Sequence, residues 1–134
     1  MGAWGIGIFE NDDAMDWLGE FSESPSIAGL RNPIDEILNN TDYIEAPDAS
    51  IALAAAATIA AIKGKPSAAF PDDFEIPELE IDNGLIDDAI IAMRKISEDP
   101  DSELKQLWEE SEESMGWHNT IFSLAGNLEK SKSL

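Results

Sequence analysis

The sequence predicts an all-α fold, a compact bundle of about five helices around one alanine-rich central helix. Three observations carry this expectation. Five separate runs place apolar residues at helical spacing. Helix-start signals stand at Asn32-Pro33 and Pro47-Asp48. Residues 51–61 are almost wholly alanine, with Ile51, Leu53 and Ile59. At 134 residues and 43% hydrophobic content, the chain suits a single helical domain over 1–134 with one core.

The chain opens with a glycine-rich arm in which Gly2, Gly5 and Gly7 alternate with Trp4, Ile6, Ile8 and Phe9. Glycine lets such a segment lie close against other elements, and the arm is expected to cross the helices and bury its rings against Trp17 or Trp108. Asn11, Asp12 and Asp13 are candidate N-caps for a first helix to about Phe21, whose stripe is Ala14, Trp17, Leu18 and Phe21. Its early acids, Asp12, Asp13 and Asp16, suit the positive end of the helix dipole.

Asn32-Pro33 reads as the start of a short second helix lined by Ile34, Ile37 and Leu38, with 26–31 a separate helical turn before it. Pro47-Asp48 starts the central helix, which Gly64 and Pro66 end near Ile62. Alanine around its whole circumference implies close neighbours on several sides. Pro66, Pro71, Pro77 and Gly84 make 66–84 a long irregular connection, tacked to the core by Phe74, Ile76, Leu79 and Ile81. A short strand within it stays open. A helix resumes at Leu85 with Ile86, Ala89, Ile90, Met93 and Ile96 on one face and ends near Asp99-Pro100.

The last helix is expected to run from Asp101 or Ser102. Leu104, Trp108, Ser111, Met115, His118, Phe122, Ala125 and Leu128 follow one another at intervals of three or four residues. Beyond Gly116 the stripe takes in Trp117, Ile121 and Leu124, which places a kink or break near that glycine.

Composition excludes more than it names. There is no cysteine, hence no disulfide scaffold, thiolate chemistry or Cys-ligated metal, and one histidine cannot build a multi-His cage. The net charge is −20, which disfavours nucleic acid and anionic membrane as partners. The apolar run at 49–62 falls short of the roughly 20 residues that span a bilayer. The first basic residue is Arg31, too late for an export signal, and Ile6 departs from the myristoylation pattern. A cytoplasmic location is expected.

Four segments look familiar as strings: 1–18, 43–66, 85–96 and 101–109. Their sharpest marks are Gly2-Ala3-Trp4-Gly5-x-Gly7-x-Phe9-x-Asn11-Asp12 and Ser102-Glu103-Leu104-x-x-Leu107-Trp108. Together they resemble the bacterial domain of unknown function 4259 family over nearly the whole chain. The resemblance implies a bacterial origin and a compact helical protein. It implies no activity and no catalytic residues; Trp4, Gly5, Gly7, Phe9, Asn11, Asp12, Trp17, Leu107 and Trp108 are taken as motif residues with structural roles.

No motif calls for a cofactor. Gly5-x-Gly7 lacks the third glycine and the Lys-Ser or Lys-Thr pair of a phosphate loop, and its neighbouring acids would repel phosphate. Asp12, Asp13 and Asp16 lack calcium-loop spacing and are accounted for by capping. His118, with Glu113 nearby in sequence, could serve as a general base, but a lone histidine on an apolar stripe reads first as a packing residue. Three functions compete: an acidic module that binds a basic protein, a small-molecule binder with its pocket between arm and helices, and a hydrolase built on His118. The first draws on two acidic stretches without a base, 1–30 and 66–93, and Asp72, Asp73 and Glu75 are its candidate surface. If the arm is part of the core, Trp4→Ala should lower stability by about 3–5 kcal/mol, measured by denaturant unfolding.

Overall fold

A computed structural model describes residues 11–40, 42–64, 75–110 and 114–132. They form six helices: α1 (Asp12–Glu23), α2 (Ile27–Asn39), α3 (Ala46–Ile62), α4 (Asn83–Glu98), α5 (Glu103–Glu109) and α6 (Ser114–Ser131). Among the described residues there is no strand, and 75–82 are irregular. The chain is all-α, as its periodicity predicts. The arm at 2–9 and its expected burial lie outside the described residues.

The centre is α3. It touches all five other helices, and Ala49, Ala52, Leu53, Ala54, Ala55, Ala56, Ala57, Ile59, Ala60 and Ala61 are buried. Methyl side chains let neighbouring axes approach from several directions, which a leucine-faced helix would prevent. The one polar side chain buried deep in its middle, Thr58, donates its hydroxyl to the Ala54 carbonyl at 2.8 Å and so brings no unmet group into the core. Gly64, at φ +87°, closes the helix; its N–H donates to the Ala61 carbonyl at 3.0 Å.

Two starts differ from the sequence reading. Helix α2 begins at Ile27, not at Pro33: Ser26 is the N-cap, accepting from the Gly29 N–H at 3.0 Å, and 26–31 belong to the same helix. Pro33 removes only the bond back to the Gly29 carbonyl. The buried stripe Leu30, Ile34 and Ile37 runs straight through the proline and holds the helix together. Gly29 is small because α1 passes close; a Cβ there would lie 3.3 Å from the Phe21 ring. Helix α4 begins at Asn83, two residues before Leu85, because the Asp82 carboxylate accepts from the Leu85 N–H at 2.7 Å.

The C-terminal helix, expected to kink or break near Gly116, is two helices. The break falls between Glu109 and Ser114, while Gly116 sits inside α6. The acid-rich run 109–113 interrupts the apolar repeat there, and the break lets two differently phased faces reach the core. Leu104 and Trp108 of α5 are buried, as are Trp117, Ile121, Leu124 and Leu128 of α6. Met115 and Phe122, assigned to the buried stripe from spacing, face solvent at 76% and 72% exposure. In the connection before α4, Ile81 is buried and Leu79 packs on the core, but Ile76, expected to do the same, is exposed.

Several scarce bases serve the fold. The Lys95 ammonium, in the last turn of α4, donates to the Ile37 carbonyl at 2.9 Å and to the Asn40 carbonyl, closing the C-terminus of α2, which has no base of its own. Arg31 joins α2 to α4 through Asp88 at 3.1 Å and also reaches Asp35 at 3.4 Å; the bond to Asp88 raises its pKa further. Lys132 ties the end of α6 to Asp87 of α4 at 2.5 Å and to Glu129 at 3.2 Å, and its pKa is raised by those two bonds. Because α3 has no free side, Ala56→Leu should cost about 1–3 kcal/mol or more through overpacking, measured as a lower urea midpoint.

Candidate functional site

The second motif is a latch between the ends of α3 and α5. Ser102 is buried and caps α5, accepting from the Lys105 N–H at 3.3 Å. Its segment pairs with Ile44 in a parallel bridge. The Ile44 N–H donates to the Asp101 carbonyl at 2.9 Å, and the Glu103 N–H donates to the Ile44 carbonyl at 2.9 Å. Glu45, the residue preceding α3, makes no side-chain cap. The Glu103 carboxylate takes over that duty from another helix, accepting from the Ala46 N–H at 2.7 Å. A carboxylate at the positive end of the central helix both satisfies an orphan donor and complements the dipole. Leu104 and Trp108 complete the motif as core residues, with Leu107 half-buried between them.

Tyr43 lies over this latch. Its hydroxyl donates to Gln106 Oε1 at 3.4 Å, while Gln106 Nε2 donates to the Pro100 carbonyl at 2.7 Å. Loss of hydration raises the phenol pKa, and the carboxylates of Glu103, Glu45 and Asp101 raise it further. The spacing in the motif marks the α5 cap but not this cross-chain use of Glu103. Nothing in local sequence tells a helix which distant carboxylate will reach it.

The first motif is described from Asn11 onward; Trp4, Gly5, Gly7 and Phe9 lie outside the described residues. Asn11 is the N-cap of α1, its Oδ1 accepting from the Ala14 N–H at 2.8 Å, while Asp12 and Asp13 occupy the first turn. Trp17 is half-buried and stacks on Phe21 with ring centroids 5.2 Å apart. Helix α1, which follows the first motif, and α5, which carries the second, both pack on α3.

The outer side of α1 is acidic throughout. Asp12, Asp16, Glu20 and Glu23 are exposed on it, together with Met15 and Gly19, and residues 11–30 contain no base. Dipole energetics explain the early acids. They do not explain Glu20 and Glu23, which crowd the negative end of a helix whose last turn has no base. Of the surface expected at 72–75, Glu75 is exposed, and Asp72 and Asp73 lie outside the described residues.

The other candidates resolve differently. His118 is half-buried on α6 with its ring edge-on to Trp117 at 4.9 Å, a packing contact; Glu113 lies outside the described residues. Among the described residues no group of three His, Asp or Glu side chains is arranged to hold a metal ion, and no helix is long and apolar enough to cross a membrane. An open recess between α2 and α3 is lined by Asn32, Asp35, Glu36, Asn39, Asn40 and Asp48. Every residue lining it is polar or acidic, whereas sites for small organic ligands are lined predominantly by hydrophobic and aromatic side chains.

These features define a compact helical protein whose second motif forms part of its frame. The family model for Domain of unknown function (DUF4259) matches residues 2–120, and the chain belongs to that family. No curated protein and no solved structure matches it.

The latch gives a spectroscopic prediction, since Tyr43 is the only tyrosine in the chain. An ultraviolet titration should find its midpoint above the usual value of about 10, and Glu103→Gln should lower it. The raised folded pKa favours the neutral phenol in the native state. Its contribution to stability is therefore present below the unfolded pKa and lost as pH rises through the folded one. The same substitution weakens the α3 cap and should cost about 0.5–2 kcal/mol at neutral pH.

Proposed function

We propose that this protein is an acidic interaction module that binds a basic protein segment, with the outer face of α1 as its principal contact surface. The observation that carries the reading is the division of charge. Arg31, Lys95, Lys105 and Lys132 are engaged in ion pairs or helix capping, and Asp82, Asp88 and Glu103 have structural partners. The α1 acids have no basic residue beside them in sequence, and the later two oppose their own helix dipole. Complementary charge speeds encounter and selects partners, which is what such a surface offers. Gly19 leaves bare backbone on this face, with no atom of the described residues within 4 Å of where a Cβ would stand, which leaves room for close approach by a partner.

The test is capture of a partner from the native host, followed by association kinetics across salt. Binding should slow steeply as salt rises, because the field reaches only about 8 Å at physiological ionic strength. Joint reversal of Glu20 and Glu23 to Lys should slow association about tenfold, in the range charge steering spans. The melting temperature should stay level or rise, since these acids oppose the dipole. Binding indifferent to both salt and reversal would defeat the electrostatic reading.

A further inference from the structure

We propose that the outward face of α6 is a contact between two copies of this chain. Met115 and Phe122 are the two most exposed large apolar side chains among the described residues, at 76% and 72%. With Asn119 and Gly126 they recur at spacings of four, three and four, so they share one face of the helix. Residues 114–128 contain no Asp, Glu, Lys or Arg. In a chain of net charge −20, two copies repel wherever carboxylates meet, and this helix face lets them meet without doing so.

Gly126 supplies an independent observation. It lies inside α6, has no positive φ to require glycine, and has no atom of the described residues within 4 Å of where a Cβ would stand. Folding alone would favour alanine there. Close approach by another helix accounts for the missing methyl. In an antiparallel, two-fold pairing of α6 helices, Phe122 of one copy covers the bare backbone at Gly126 of the other, and the reverse contact follows by symmetry.

Sedimentation velocity on the full chain over a range of concentrations and salt tests this. The dimer fraction should rise with concentration and also with salt, because screening removes the residual repulsion between copies. That is the opposite of the salt response of a basic partner, so the two readings can fail separately. Phe122→Ser should weaken dimerisation about tenfold or more while leaving the circular dichroism spectrum unchanged. Gly126→Ala should raise the melting temperature and weaken dimerisation. A monomer at all concentrations overturns the proposal, as does association that these substitutions leave intact or that salt weakens. A monomer that Phe122→Ser strongly destabilises would show the chain covering the face itself, and would overturn it too.

Discussion

Everything in this structure depends on burying a helix that has no polar side. An amphipathic helix needs one partner; α3 needs neighbours around its full circumference, and five helices provide them. That requirement explains the short side chains, the single internally satisfied hydroxyl of Thr58, and the break that creates α5 and α6. One continuous C-terminal helix would hold a single apolar face. Two segments present Trp108 and Trp117 to the same core from different directions.

Two helix ends at this core are closed by side chains from elsewhere in the chain. The N-terminus of α3 is met by Glu103 and the C-terminus of α2 by Lys95, each more than fifty residues away. These long-range caps couple elements that side-chain packing alone would leave free to slide, because a hydrogen bond has a direction and an apolar contact does not. The Ile44 and Ser102 bridge belongs to the same device. It orders the segment ahead of α3 and fixes the register at which Glu103 reaches Ala46.

The helices were legible in the sequence because each apolar stripe is local and repeats within a turn or two. The Ala-rich centre was legible for the same reason. Pro33 is a strong local start signal that sits inside an apolar stripe continuing on both sides of it; Leu30 and Ile34 outweigh one lost hydrogen bond. Met115 and Phe122 misled because three- and four-residue spacing tolerates two phases, and only tertiary packing chooses between them. Of the candidate surface, the acidic bias was plain from composition, but its geometry was not. Which carboxylates cap a distant helix and which merely face water depends on contacts between residues far apart in sequence.

That distinction divides the negative charge into two kinds. Asp82, Asp88 and Glu103 each satisfy a donor or a cation, so the fold itself explains them. Asp12 and Asp13 sit where a helix dipole favours them. Glu20 and Glu23 do neither, and a net charge this far from zero opposes the compact state through self-repulsion. A chain that spends four of its eight bases on caps and bridges, while leaving those acids in place, holds a field that its own folding does not need. The α6 face is the complementary case: a surface from which charge is missing, in a molecule that carries it almost everywhere else. The fold thus offers two kinds of contact, one that attracts opposite charge over a distance and one that tolerates its own kind at close range.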